Sequence, residues 1–332
     1  MTEMLLSVKP DQVITGMLLA QDIETGEGNL VLPMDKSLSD KEIRYLRENY
    51  NGNELLILEP RLSDRNSLEL TDEDIRYGIT CALLNEFDMT HTYKLLNVVY
   101  AHIGGLFTKI YPQLLDLRKL DPVTFKHCVN VTWICMYLSK MSSLSLSDSN
   151  LLLQASLLHD IGKSFIPQSI LSKPGSLTTD EYNIIKRHSE YGASWLESLV
   201  PRTITEYIRS HHEYLNGTGY PDGKDTTSIN FVAHIITVAD IFDALMQKRV
   251  YKEGASPFQA YQVLLAEAEC GKISYMYVVL LRNVLDYLIG KEIVILNGIS
   301  GKFVGINCLK YANVMVRDVT VKVKMTGITT VL

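Results

Sequence analysis

The sequence predicts a mainly α-helical protein with a small N-terminal α/β unit and a short β-rich C-terminal extension. Three observations predict this architecture. Short apolar runs separated by turn-forming residues fill the first part of the 332-residue chain, a long succession of helix starts fills the middle, and β-branched residues spaced by glycines fill the end. Hydrophobic residues make up 46% and charged residues 21%, the balance of a globular protein.

Residues 1–70 are predicted to form a small α+β accessory or regulatory domain. Short strands are expected at 13–19 and 30–32, and a buried strand at 54–58. Ser39 and Glu42 have the spacing of a capping box, so we expect a helix to begin between the last two strands.

The remainder of the chain is predicted as a helical connector at 71–120, a helical domain at 121–289 and a β-rich extension at 290–332. Thr71 precedes three acidic residues, and Asp121 precedes Pro122, both of which are typical helix starts. Further helix starts are expected at 148 or 149, 179, 201, 229, 256 and 272. Strands are expected in the extension at 292–296, 302–306, 312–316 and 319–325.

Charge and cysteine content limit the classes of function. The 32 Lys and Arg against 38 Asp and Glu give a net charge of -6, so a nucleic-acid polymer is not the expected partner. The five cysteines show no CxxC spacing, which is typical of reduced thiols in a cytosolic protein. No apolar run reaches the length of a membrane span, and the N-terminal residues lack the apolar core of a signal peptide, so we expect a cytoplasmic location.

Histidines recur along the helical domain at spacings of a helix plus a loop. Three of them stand in two adjacent pairs, with His159 beside Asp160 and His211 beside His212. Adjacent residues on a helix point about 100° apart, so each pair can reach around a site that holds two metal ions. The alternative for His159 is a hydrogen-bonded core histidine, with an i,i+3 salt bridge from Asp160 to Lys163. A core role for His159 is less favoured than a ligand role because four further histidines recur at this spacing. The five histidines are His127, His159, His188, His211 and His212.

Two further features accompany the histidines. The His211–His212 pair is followed by a loop rich in Gly and Pro, which could also be an ordinary tight surface turn. Asp240 lies inside an apolar helix, where a lone carboxylate is costly unless it is paired or binds a metal. Asp240 is therefore a ligand candidate, and Asp243 could instead be a helix-face or capping partner.

Together these motifs resemble the HD-GYP domain family. The matching segments are HDIGK at 159–163, LSKPGSLT at 171–178, His188, HHEYLNGTGYP at 211–221 and ADIFDAL at 239–245. The resemblance covers about 121–255 and implies an HD-type helical bundle. Members of this branch of the HD phosphohydrolases hydrolyse cyclic di-GMP. The N-terminal stretch 10–58 and the tail from about 290 resemble, more weakly, segments that flank some members.

The resemblance implies a ligand set for two divalent transition metals, with iron or manganese favoured and zinc, nickel or magnesium as alternatives. Imidazole and carboxylate suit such metals, and a metal pair can activate a bridging water. One metal would be held by His127, His159, Asp160 and Asp240. The other would be held by Asp160, His188, His211 and His212.

The resemblance also implies the residues that meet the substrate. Lys163 would contact the scissile phosphate and act in catalysis together with the bridging Asp160. Arg249 and Lys252 match phosphate-contacting positions, although a solvated helix end would also favour basic residues there. The loop residues Gly219, Tyr220 and Pro221 complete the predicted substrate site.

The sequence departs from the family pattern at four places. Asn216 replaces an Asp, and Tyr214–Leu215 replaces a basic-aromatic pair, which would loosen the loop or alter its contacts. His188 is followed by Ser instead of Pro, and His234 replaces an Arg and is not counted as a ligand. Val123 stands where members with a third metal have Glu, which argues for two metals.

The leading hypothesis is a phosphodiesterase that opens cyclic di-GMP to pGpG, and the sequence leaves open whether hydrolysis continues to GMP. One alternative is a catalytically weak or inactive module that binds cyclic di-GMP or a partner protein. Another is an HD hydrolase that acts on a different cyclic dinucleotide. The N-terminal region is the expected place for a homodimer contact or a protein partner.

Overall fold

A computed structural model gives the fold of the chain, which divides into two compact units. One unit comprises Met1–Leu70 and Asp88–Thr108, and the other comprises Thr71–Phe87 and Lys109–Leu332. The four-part domain division expected from the sequence stays a prediction. The structure describes residues 5–8, 10, 18–19, 21–24, 30–32, 38, 40–50, 55–58, 70–88, 91–92, 94–96, 98–99, 107–248, 254–295 and 298–332.

The first unit contains a three-stranded antiparallel sheet, a two-stranded hairpin and a helix. The sheet has the order β1-β5-β2, and the hairpin pairs β3 with β4. The helix α1 buries Ile43 and Leu46 on its apolar face, as its sequence pattern predicts. Ser39, the predicted cap of α1, lies outside the described residues. The elements are β1 (Leu5–Val8), β2 (Leu18–Leu19), β3 (Ile23–Glu24), β4 (Leu30–Leu32), α1 (Asp40–Asn49) and β5 (Leu55–Leu58).

The second unit is a helical domain that begins with α2. Thr71 and Asp74 form a complete capping box at the start of α2, and Asp121 caps α4 with Pro122 in its first turn. The helices are α2 (Asp72–Leu83), α3 (Phe107–Leu120), α4 (Pro122–Met141), α5 (Leu146–Leu158), α6 (Gln168–Leu171), α7 (Thr179–Lys186), α8 (His188–Leu196), α9 (Arg202–Ser210), α10 (Ala233–Met246), α11 (Pro257–Glu269) and α12 (Tyr275–Leu281). Short 3₁₀ helices occur at Ile161–Phe165, Arg282–Leu288 and Met325–Gly327.

Three predicted helix starts are wrong by a few residues, because a different residue caps or opens each helix. Helix α5 begins at Leu146, before the predicted 148 or 149, since the Ser145 hydroxyl accepts the backbone N–H of Asp148. Helix α12 begins at Tyr275 instead of 272, since Ser274 caps it. Helix α10 begins at Ala233 instead of 229, after a turn.

The core of the helical domain is built around α4, which is buried over most of its length. Helices α5 and α10 pack against α4, and α9 packs against α5. This arrangement places the start of α4, the end of α5, the end of α9 and the middle of α10 around one point. No helix in the described part of the chain is long and apolar enough to cross a membrane.

The C-terminal extension is a five-stranded antiparallel sheet with the order β10-β6-β7-β8-β9. It packs on the helical domain, where the rings of Phe258 and Phe303 meet edge to face at 5.0 Å. The Ser256 hydroxyl also donates to the Ile328 carbonyl. The sequence did not indicate the last strand. The strands are β6 (Glu292–Ile295), β7 (Ser300–Cys308), β8 (Tyr311–Val316), β9 (Val319–Lys324) and β10 (Ile328–Val331).

Candidate metal centre

The seven side chains predicted as metal ligands lie together at the point where the core helices meet. All are buried except His212, which is partly exposed. His127 comes from α4, Asp240 comes from α10, and His188 opens α8. The pairs His159–Asp160 and His211–His212 follow directly after α5 and α9. The cluster therefore draws on the ends or middles of five helices, as the spacing of the histidines predicts.

The ligand atoms fall into two groups. His127, His159 and Asp160 form one group, and the other consists of the remaining three histidines, with the ligand atoms of each group within 4.8 Å of one another. Asp160 faces both groups. Its Oδ2 lies 3.5 Å from Nε2 of His159, and its Oδ1 lies 3.2 Å from Nε2 of His188. One carboxylate therefore spans the two groups.

Asp240 also joins the two groups. Its Oδ1 lies 2.9 Å from Nε2 of His127, while its Oδ2 lies 3.5 Å from Nδ1 of His212. Because α10 is apolar around this residue, the histidines supply the polar surroundings that a buried carboxylate requires.

Three of the histidines are oriented by the same local hydrogen bond. In each, Nδ1 donates to the backbone carbonyl three residues earlier, so the lone pair of Nε2 is directed into the cluster. These bonds run from His159 to Ser156 at 2.7 Å, from His188 to Ile185 at 2.7 Å and from His211 to Ile208 at 2.5 Å.

His127 is oriented by a carboxylate. Its Nδ1 lies 2.7 Å from Oδ2 of Asp243, whose other oxygen accepts a hydrogen bond from the Asn130 amide at 2.9 Å. The sequence left Asp243 open as a helix-face or capping partner. The structure instead shows a fully buried carboxylate that holds a histidine of the cluster.

Burial and the neighbouring carboxylates shift the pKa values of the histidines in opposite directions. Burial lowers the pKa of His188 and of His211 to about 4, so both rings are neutral near pH 7 and offer a lone pair. Burial alone would also lower the pKa of His127, but hydrogen bonds to Asp240 and Asp243 raise it to about 10. A ligand role for His127 therefore requires that Nε2 give up its proton.

The donor set fits a metal. Nε2 of His159 and Oδ1 of Asp160 are buried and have no hydrogen-bond partner among the described residues. Such atoms are costly to bury unless something satisfies them, and a divalent cation would satisfy both. Imidazole nitrogens with carboxylate oxygens suit iron, manganese or zinc. The residues present could therefore hold metal ions.

Gly162 permits the close approach of the two ligand groups, a role that sequence reasoning missed. A Cβ at this position would lie 1.9 Å from the backbone oxygen of His188 and 2.6 Å from the backbone nitrogen of Gly192. Only a glycine lets the 3₁₀ segment after Asp160 pack this tightly on α8. In the sequence, the glycine of the HDIGK motif was the feature that could have indicated this role.

Lys163 lies beside the cluster on the same 3₁₀ segment. Its Nζ is 2.6 Å from Oδ2 of Asp160, and 22% of its side chain is exposed. Burial alone would lower the pKa of Lys163, but Asp160 raises it, so the ammonium stays charged. The i,i+3 salt bridge considered for this pair is present, and it holds a positive charge at the edge of the cluster.

The loop after His212 is held by Glu213, another residue that sequence reasoning missed. The buried Glu213 carboxylate accepts the backbone N–H groups of Asp222 at 2.6 Å and Lys224 at 2.9 Å. A Cβ on Gly219 would lie 2.5 Å from the Cα of Glu213, so glycine is required there. The loop is therefore anchored from inside, unlike a simple surface turn.

Tyr220 connects this loop to the cluster. Its ring centroid lies 4.7 Å from that of His212, and Pro221 follows through a cis peptide bond. Asn216 accepts hydrogen bonds from the backbone and hydroxyl of Thr218 through its side-chain oxygen. This role needs only an acceptor, so Asn serves where the family pattern has Asp.

Two other positions singled out in the sequence, Val123 and His234, are not part of the two groups. Arg249 and Lys252 lie outside the described residues. Val123 is 55% exposed and brings no carboxylate to the cluster. His234 is buried on α10, and its ring nitrogens have no hydrogen-bond partner in the described part of the chain.

Comparison with known proteins places the cluster in a family. Residues 110–273, about half of the chain, match the HD domain family. The chain is 36% identical over 166 residues to 3'3'-cGAMP-specific phosphodiesterase 1 of Vibrio cholerae, covering 49% of this chain and 38% of that protein. It is 35% identical over 152 residues to a cyclic di-GMP phosphodiesterase of Pseudomonas aeruginosa, covering 44% and 36%.

A third relative is the cyclic di-GMP phosphodiesterase response regulator RpfG of Xanthomonas campestris. It is 42% identical over 127 residues, which cover 37% of this chain and 34% of that protein. The chain thus spans little more than a third of the length of each of these relatives. The HD-type helical bundle and the resemblance expected from the motifs are confirmed.

Proposed function

This chain carries an HD domain, and we propose that it is a metal-dependent phosphodiesterase that hydrolyses cyclic di-GMP to pGpG and on to GMP. The observation that carries the proposal is the position of Asp160, whose two carboxylate oxygens face separate groups of histidine nitrogens. A carboxylate in this position suits a pair of metal ions that share one ligand.

The proposed cofactor is a pair of divalent transition metals, with iron or manganese favoured. His127, His159, Asp160 and Asp240 would hold one ion, and Asp160, His188, His211 and His212 the other. When bound, such a pair neutralises phosphoryl charge and lowers the pKa of water to near neutrality. The hydrogen bonds at Nδ1 of the histidines keep their other nitrogens directed inward before any ion enters.

Lys163 is proposed to act on the scissile phosphate. Its ammonium already lies against Asp160, so a phosphate at the cluster would come within reach of the same charge. Water attacks phosphorus in line with the leaving 3'-oxygen, a new P–O bond forms as the P–O3' bond breaks, and the 3'-oxygen takes up a proton. The negative charge that builds on the phosphoryl oxygens is what Lys163 stabilises.

Cyclic di-GMP is favoured over other cyclic dinucleotides because the HD motif and the Gly219–Pro221 loop both match the family that acts on it. The Pseudomonas and Xanthomonas relatives are named for this substrate. The Vibrio relative is named for 3'3'-cGAMP, which makes that molecule the second candidate. Tyr214 and Leu215, which depart from the family pattern, leave as the alternative function a module that binds cyclic di-GMP without cleaving it.

A direct comparison of substrates tests the proposal. Protein loaded anaerobically with Fe²⁺ or Mn²⁺ is given cyclic di-GMP or 3'3'-cGAMP at several concentrations, and products are separated by chromatography. We expect pGpG followed by GMP, with a higher kcat/KM for cyclic di-GMP. A higher kcat/KM for 3'3'-cGAMP would make that molecule the assigned substrate. Tight binding without cleavage under either metal would establish the binding-only alternative.

A further inference from the structure

A lysine outside the predicted site lies close to two aromatic rings, one of which packs on a histidine of the cluster. Lys186 is the last residue of α7, and its Nζ lies 5.3 Å from the ring centre of Tyr182 and 5.7 Å from that of Tyr220. Tyr220 in turn packs on the ring of His212. A cation is therefore held one aromatic ring away from a proposed metal ligand.

Lys186 differs from its basic neighbours because none of the described carboxylates pairs with it. Lys163 pairs with Asp160, Lys173 pairs with Glu181, and Arg209 pairs with Asp222. Within the described ranges, no carboxylate lies within 4.0 Å of the Lys186 ammonium. This positive charge is left available to an anion from outside the chain.

The usual preferences at a helix C-terminus explain the contact of Lys186 with Tyr182 but not its contact with Tyr220. A lysine in the last turn is favoured by the helix dipole, and Tyr182 is its i−4 neighbour on α7. Neither effect accounts for Tyr220, which belongs to the loop that follows α9. Contact with both rings restricts the lysine side chain, so less side-chain entropy is lost when it binds a ligand.

The chemistry of the proposed substrate supplies a fitting anion. A cyclic dinucleotide carries two phosphodiesters in one ring, so the second phosphate must lie near the cluster whenever the first is cleaved. Lys163 is the cation for the cleaved phosphate. We propose that Lys186 binds the second, uncleaved phosphate and thereby selects cyclic dinucleotides over substrates with a single phosphodiester. This inference rests on the proposed function.

The test compares two substrates in variants of the metal-loaded protein. Lys186→Met removes the charge and keeps the side-chain length, and Lys186→Arg restores the charge. Arg187→Met is the control, because the guanidinium of that neighbouring residue lies over the ring of Tyr191. The substrates are cyclic di-GMP and bis(p-nitrophenyl) phosphate, which has one phosphodiester.

We expect Lys186→Met to raise KM for cyclic di-GMP by about tenfold or more, the usual effect of losing a hydrogen bond to a charged group, with kcat within about threefold. Its hydrolysis of bis(p-nitrophenyl) phosphate should match the wild type. Lys186→Arg should recover most of the affinity, and Arg187→Met should behave as the wild type with both substrates.

Two results would overturn the inference while leaving the proposed function intact. One is an unchanged KM for cyclic di-GMP in Lys186→Met, and the other is an equal loss with both substrates. If the wild type binds cyclic di-GMP without cleaving it, the same comparison is made with dissociation constants, and an unchanged constant overturns the inference. If the wild type neither binds nor cleaves any cyclic dinucleotide, the proposed function itself fails, and the inference fails with it.

Discussion

Replacing Gly162 by alanine should separate the two ligand groups of the metal centre. The new Cβ would lie 1.9 Å from the backbone oxygen of His188, whereas ordinary contacts begin at 3.4 Å. The 3₁₀ segment and α8 would have to move apart by about 1.5 Å, because both colliding groups belong to the backbone. Metal–ligand distances tolerate changes of only about 0.2 Å. Asp160 and His188, now 3.2 Å apart, could then no longer serve the same ion.

We expect Gly162→Ala to lose at least one of the two metals and to lower turnover by about 100-fold, with an unfolding free energy reduced by about 1–3 kcal/mol. Metal content by mass spectrometry, steady-state kinetics and urea unfolding measure these effects. Gly192→Ala is the graded comparison at the same contact, since its Cβ would meet Gly162 and Ile161 at 3.2 and 3.3 Å, only about 0.2 Å inside ordinary contact, and a helical alanine is favoured. We expect it to lose much less metal and turnover than Gly162→Ala. A Gly162→Ala protein with wild-type metal content and turnover would refute this reasoning.

Three further substitutions separate metal binding from catalysis. Asp160→Ala should abolish both metal binding and hydrolysis while circular dichroism stays largely unchanged; retained metals and normal turnover would reduce Asp160 to the partner of Lys163. Lys163→Ala should keep both metals but lose turnover by roughly 100-fold or more, and loss of metal in this variant would contradict the proposed role. Asp243→Asn should weaken metal affinity by about 10- to 100-fold in a chelator competition, because the orienting charge on His127 is removed; an unchanged affinity would show that Asp243 only packs.

Much of the helical domain could be predicted because its helix starts are local signals. The capping box at Thr71 and the caps at Asp121 and Ser256 depend on residues within one turn, and each is present in the structure. The predicted starts of α5, α10 and α12 are wrong for a local reason too, because a capping residue or a turn near the predicted position sets where each helix begins. Strand β10 was missed because its pairing partner β6 is distant in the chain.

The convergence of the histidines was predicted from residue types and spacing, and the full ligand set from the family resemblance, but the residues that support the cluster were not predicted. The orienting role of Asp243 depends on a contact with His127 from another helix, which no local pattern reveals. Glu213 was overlooked because its partners are backbone N–H groups further along the loop. The function of Gly162 depends on the distance between two segments, which only the fold sets.

We propose that Asp160 joins two metal ions in one catalytic site. The most direct test is to measure metal content and cyclic di-GMP turnover on the same anaerobically loaded sample as Fe²⁺ or Mn²⁺ is titrated. We expect close to two ions per chain, with turnover appearing as the second ion binds. Full turnover with one ion bound, a well-occupied third ion in the same pocket, or a cluster that binds no metal would contradict it.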